Sequence, residues 1–245
     1  INAANGVAGQ VNSAVNSLTA NFLTAVRPQM IKSYASGDMD YLMKMLYSTS
    51  KLTFYLVMIL ALPLIFEIEP ILNIWLGVGH YPENTISFCR LTILITLFDS
   101  FATPISTIVH ASGKMKKFQI VCSSVILLIV PLAYLSSKMG GSAEMTLIVG
   151  LIVTIMAQFV RLHLVGQIIP FSTKVYCKNV FIPTLIVFIV ATGISSIVFK
   201  YISNGIVGTI VVIISTIITS IVTILLFGTN QAEKRVITSF IKIKK

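Results

Sequence analysis

The chain has 245 residues, of which 56% are hydrophobic and only 11% charged, with a mean hydropathy of +0.92 and a net charge of +10. Soluble domains run at about 25% charged residues, so that class is excluded. The basic residues sit at the ends of apolar stretches and in the tail, without aromatic interleaving or a basic face, which argues against nucleic acid and for anionic lipid headgroups as the partner.

Residues 179–199 and 201–232 hold no charged side chain. A helix needs ~20 apolar residues to cross a bilayer, and in lipid only helices or closed barrels satisfy their own backbone groups. The expected fold is all-α: a polytopic transmembrane helical bundle of about seven spans, at 3–31, 49–68, 87–111, 118–136, 143–165, 179–199 and 205–228.

In the first span Asn2, Asn5, Gly9, Asn12, Asn16 and Thr19 recur at steps of three and four, which aligns them on one helix face, widened by Gln10, Ser13 and Ser17. A face this polar must meet protein or water. It reads as the lining of a hydrated cavity, with interhelical hydrogen bonding as the alternative. Pro28 interrupts this helix near its end.

The second span is bounded by Lys51, expected to snorkel to the headgroups, and by Glu67, expected to be solvated with Glu69 at the far interface. Residues 67–79, with Pro70 and Trp75, read as an interfacial turn, Trp being an expected boundary anchor.

In the third span Thr92, Thr96, Asp99, Thr103, Ser106 and His110 form a second polar stripe, broken by Pro104. Asp99 falls near mid-membrane, where a carboxylate costs at least ~2.5 kcal/mol. It is either an ion-coupling site or half of an ion pair with another helix. Arg90 lies on the opposite face of the same helix and does not pair with it, and His110 reads as a surface residue near the end.

A looser third stripe, Thr146, Gly150, Thr154, Gln158 and Arg161, runs along the fifth span, with Arg161 near enough to the end to snorkel and Glu144 solvated at the start. The sixth and seventh spans carry only Ser, Thr and Gly as polar groups and read as a peripheral pair. The tail mixes Val236, Ile237, Phe240 and Ile241 with lysines, as either a short amphipathic helix on the inner leaflet or a disordered segment. Cys89, Cys122 and Cys177 are scattered and read as small apolar residues.

With these spans, fifteen Lys and Arg fall on one side and only Arg90, Lys138 and Lys200 on the other. The positive-inside rule makes the first side cytoplasmic, with the C-terminus inside. No nucleophile elbow, phosphate loop, paired acidic motif or His/Cys metal cluster is present, so neither an enzyme nor a cofactor or metal site is expected. The three polar faces, read as wet, suggest a protein that moves a solute.

Three stretches resemble a known family. Pro28, Gln29, Tyr34, Gly37 and Asp38 close the first helix. Leu72, Trp75, Leu76 and Gly77 precede Pro82 and Glu83. Ala111, Gly113, Lys114, Lys116 and Gln119 form a loop after His110. In this order they resemble motifs of the bacterial polysaccharide flippases, the O-antigen and capsule repeat-unit exporters of the multidrug/oligosaccharidyl-lipid/polysaccharide exporter superfamily. The likeness is densest over 1–165.

The resemblance implies the second lobe of a two-lobe exporter at 1–168, two additional peripheral helices at 169–228 and a basic cytoplasmic tail at 229–245. The chain, starting at Ile1, is expected to be the C-terminal part of a longer protein. It implies a lipopolysaccharide- or capsule-pathway protein of the bacterial inner membrane. Its substrate is a lipid-linked oligosaccharide on undecaprenyl diphosphate, flipped from the cytoplasmic to the periplasmic leaflet, with H+ or Na+ as coupling ion and other glycan-assembly membrane proteins as neighbours.

On that reading Asn5, Asn12, Asn16, Thr19, Thr92, Thr96, Asp99, Thr103 and Ser106 line the cavity. Arg27, Arg90 and Arg161 are the candidate diphosphate contacts, and Asp99 is the candidate coupling carboxylate, an assignment made from its mid-membrane position rather than from a family motif. A cation-coupled multidrug exporter of the same superfamily is the near alternative. A membrane-embedded polysaccharide polymerase or ligase is disfavoured by the short, nearly uncharged outer loops, and a receptor or scaffold subunit stays open.

Overall fold

The computed structural model describes residues 2–202 and 205–229, and the tail from 230 onward, with its expected amphipathic helix, lies outside the described residues. Ten α-helices follow in chain order: α1 (Asn2–Ala35), α2 (Met39–Leu76), α3 (Thr85–Asp99), α4 (Ala102–Ser112), α5 (Met115–Leu127), α6 (Ile129–Lys138), α7 (Ala143–Val165), α8 (Thr173–Tyr176), α9 (Ile182–Ile202) and α10 (Gly205–Thr223). Wider π-turns join α8 to α9 (Cys177–Phe181) and close α10 (Ile224–Gly228). No strand occurs among the described residues.

The protein is a polytopic helical membrane bundle. Met39–Leu76, Met115–Lys138, Ala143–Val165, Thr173–Ile202 and Gly205–Gly228 are each long and apolar enough to cross a bilayer, and α3 and α4 are so only together, as a pair bent by 41°. The expected first span differs in kind. At 34 residues α1 has length to spare, roughly 51 Å at 1.5 Å per residue, but its composition is too polar for it to qualify alone. It crosses only with its polar face covered by protein or water. It also runs through Pro28 to Ala35, with no N–H from Pro28 for the Thr24 carbonyl.

Turn chemistry sets where helices stop. Gly37 takes a left-handed conformation (φ 76°), and the Asp38 amide donates back to the Ser33 carbonyl at 3.2 Å. The Asp38 carboxylate then accepts from the Tyr41 amide at 3.0 Å and starts α2. Gly113 (φ 70°) ends α4 in the same way, its amide donating to the His110 carbonyl at 3.2 Å. Proline sets the breaks. Glu67 leaves helical geometry (φ −107°, ψ 24°) three residues before Pro70, and α5 passes to α6 at Leu128, three residues before Pro131.

The expected interfacial turn at 67–79 is therefore corrected. The chain kinks at Glu67 but resumes as helix to Leu76, because proline is compatible with a helix once the offending turn has opened. Trp75 is half exposed near its end.

Helix α2 is the spine. It packs on α1, α3, α4, α9 and α10. Phe54 is fully buried on it, stacked on Phe101 at 4.9 Å between ring centres and edge-on to Phe98 and Phe188. Helices α9 and α10 pack on each other and on α2, with Thr184, Ser195, Thr216 and Ser220 buried between them. The Thr184 and Ser220 hydroxyls donate to their own helices, so these side chains act as small spacers.

The same packing overturns two expectations. Lys51 is 3% exposed rather than snorkelling, and Glu67 is fully buried rather than solvated. Thr209 of α10 donates to the Glu67 carboxylate at 2.9 Å. One turn beyond Lys51, the Tyr55 hydroxyl donates to the Gly228 carbonyl at 3.2 Å, so the end of α10 covers that face of α2.

Replacing Phe54 by Ala removes the centre of the ring cluster and is expected to cost about 3 kcal/mol. Thermal unfolding in detergent reads this as a lowered midpoint, while Ile189→Ala on the exposed face of α9 leaves the midpoint unchanged.

Candidate functional site

Two elements with opposite habits meet at the site. Helix α1 buries a stripe of small and apolar residues, among them Ala4, Ala8, Val15 and Leu23, and packs through it on α2, α3 and α4. Its amide-rich face runs beside that stripe and stays largely exposed. Opposite it, α3 stops at Asp99 and α4 starts at Ala102, because Pro104 has no N–H for the Ser100 carbonyl and its ring forces the turn open.

Helix α7 fastens this break from the far side. Gln158 Nε2 donates to the Phe98 carbonyl at 3.1 Å, and Arg161 Nη1 donates to Asp99 Oδ1 at 2.9 Å. The Arg161 side chain is 9% exposed and the Asp99 side chain 51%. The charge pair is thus asymmetric: the guanidinium lies inside the protein, and the carboxylate looks outward toward α1. Among the described residues Asp99 makes no other hydrogen bond.

The polar stripe of α7 is accordingly glue. Gly150, Thr154, Gln158 and Arg161 are buried, while Thr146 is exposed. This corrects both the reading of a third wet face and the reading of Arg161 as a snorkelling side chain. The physical reason is the break itself, which presents α7 with a carbonyl and a carboxylate that need donors.

On the α1 side, Asn12 Oδ1 accepts from Asn16 Nδ2 at 2.8 Å and also from the Thr96 hydroxyl, which ties α1 to α3. Asn12, Asn16, Thr19, Thr96, Asp99 and Thr103 line a cavity of about 150 Å³. A second cavity of about 230 Å³ shares Asn16, Thr19 and Thr103 and extends to Arg27. The two form one groove with a carboxylate at one end and a guanidinium at the other. At about 30 Å³ per water the groove holds several waters.

Asn5, Thr92 and Ser106 fall outside it. Asn5 lies exposed further up α1, the Thr92 carbonyl accepts from Thr96, and Ser106 is half-buried on α4. The three candidate arginines go to three places. Arg27 is exposed at the groove's end, Arg161 is held by Asp99, and Arg90 donates from Nε to the Ile65 carbonyl at the α2 kink, 2.9 Å away. They do not form one anion site. His110 is exposed. No cluster of three metal-ligating side chains occurs among the described residues.

Sequence reasoning missed the role of Gln158 and the buried Glu67–Thr209 contact. The signals were present. The break before Pro104 leaves the end of α3 without its helical donors and asks for an outside one, and Pro70 three residues after Glu67 marks a kink.

Comparison with protein-family models, with curated proteins and with solved structures finds no match to this chain.

Single cysteines at Asn16 and Thr103, on a background without native cysteines, are expected to react with a membrane-impermeant thiol reagent. A cysteine at Ile189, on the lipid-facing side of α9, is expected not to react. Protection of both groove positions from either side of the membrane removes water from the groove.

Proposed function

We propose that this chain is part of an exporter that carries an undecaprenyl-diphosphate-linked oligosaccharide across the bacterial inner membrane by alternating access. The observation that carries the reading is the groove on the α1/α3–α4 seam, lined by amides and hydroxyls, with one outward-looking carboxylate at the helix break. Sugar hydroxyls need donors and acceptors in equal measure, and Asn and Thr supply both. The open face of α1 continues this chemistry through Asn5, Ser13 and Ser17 and is the surface that a facing lobe would close.

Within that reading Arg27 is the diphosphate contact, since it alone of the three arginines faces the groove without a competing partner among the described residues. The lipid chains stay in the bilayer while the headgroup crosses. The many basic residues at the Arg27 end support a cytoplasmic position for that end. Asp99 couples the ion. Protonation, or a bound cation, removes the charge that holds Arg161 and so loosens the clamp of α7 on the break, letting α3 and α4 change their mutual angle. No polymerase or ligase chemistry is needed from these residues.

The multidrug alternative shares the coupling step but calls for an apolar site. An apolar cavity beside Phe98, Phe159 and Phe181 is only about 80 Å³, and no residue of α1 lines it. That favours the saccharide.

Asp99→Asn is expected to leave membrane insertion intact and to lower glycan export at least about tenfold, the scale of one charge-assisted contact. The readout is surface polysaccharide in a strain lacking its own exporter. Full complementation by Asp99→Asn removes the carboxylate from the mechanism, and drug resistance without restored polysaccharide favours the multidrug exporter.

A further inference from the structure

A cavity of about 420 Å³ lies away from the groove, between the kinked end of α2, the start of α3 and the α9–α10 pair. Its walls are apolar, with Phe66, Phe199 and Ile206, but Arg90, Glu69 and Asn73 also line it, beside Thr209, whose hydroxyl already donates to Glu67.

Each of the three has a defined role left open. Arg90 uses Nε on the Ile65 carbonyl at 2.9 Å, so its two terminal amino groups have no partner among the described residues. The Asn73 Oδ1 accepts from the Tyr81 hydroxyl at 3.1 Å, which leaves its amino group as a donor. Glu69 is exposed and forms no ion pair with Arg90 or any other described residue. The wall therefore offers two donors, one of them cationic, beside a separate anionic acceptor. The cavity sits in the interfacial belt marked by Trp75 and opens past the exposed Ile74 and Val78.

We propose that this cavity is a binding site for a zwitterionic aminophospholipid of the leaflet on the Trp75 side, with a phosphoethanolamine headgroup. Arg90 and the Asn73 amino group hold the phosphate, and Glu69 accepts from the primary ammonium. The acyl chains lie on Phe66, Phe199 and Ile206. A phosphoglycerol headgroup brings the phosphate without a cation for Glu69. A choline headgroup brings a cation with no N–H to donate. Charge and hydrogen-bond complementarity thus select the primary amine over both. The site is independent of the proposed transport groove.

The test is native mass spectrometry of the full protein, stripped of lipid in detergent and offered equimolar phosphatidylethanolamine, phosphatidylcholine and phosphatidylglycerol. Phosphatidylethanolamine is expected to be retained about tenfold over the other two, the scale of one charge-assisted contact. Glu69→Gln, an exposed change that leaves the kink alone, is expected to erase that preference. Asn73→Ala is expected to weaken retention of all three lipids, and Arg90→Gln to do so more strongly. Lys114→Gln with Lys117→Gln, in a separate basic cavity, is expected to change nothing. Equal retention of the three lipids by the native protein overturns the proposal. So does preference for phosphatidylglycerol, or a preference for phosphatidylethanolamine that survives Glu69→Gln.

Discussion

Everything at the α1/α3–α4 seam depends on how the protein keeps a proline-broken helix and a carboxylate inside a membrane. Lipid offers neither donors for the freed carbonyl nor solvation for the charge. Helix α7 supplies both through Gln158 on Phe98 and Arg161 on Asp99. Because the guanidinium is buried and the carboxylate half exposed, the pair anchors the break while leaving Asp99 open to the groove. Neutralising Asp99 at such a site loosens a tertiary contact as well as altering a charge.

The rest of the bundle is organised about α2. Its straight middle carries the aromatic cluster around Phe54, and its kink at Glu67 turns the last turns toward α3 and α10. The kink has two consequences at the interface. It frees the Ile65 carbonyl, which Arg90 takes up, and it brings Glu67 under α10, where Thr209 meets it. The kink thus has one charged side chain at the wall of the large cavity, Arg90, and another buried beside it, Glu67.

The stretches that carry the family resemblance lie mostly at turns. Gly37 with Asp38 and Gly113 with Lys114 end one helix and start the next, and Trp75 stands near the end of α2. Left-handed glycines and capping carboxylates are demanded by geometry at such places, so these residues describe how the helices are joined. The groove residues Asn12, Asn16, Thr96 and Asp99 lie outside those motifs, and their chemistry has to be argued from the groove itself.

Hydropathy and periodicity in the sequence determined the membrane class and the helix positions. They also determined the two polar faces that meet at the groove, because lipid imposes a length and an apolar composition on each span and a helix repeats every 3.6 residues. Proline and glycine marked the breaks. Only the tertiary structure decided which polar face meets water and which is sealed. The stripes of α7 and α1 both recur at helical intervals of three and four residues, yet α7 buries most of its stripe against a broken neighbour while α1 keeps most of its own open. The burial of Lys51 and the partners of Glu67, Arg90 and Arg161 were equally hidden. Periodicity gives the face on which a charge stands, and the helix that covers that face is chosen by packing between segments far apart in the chain.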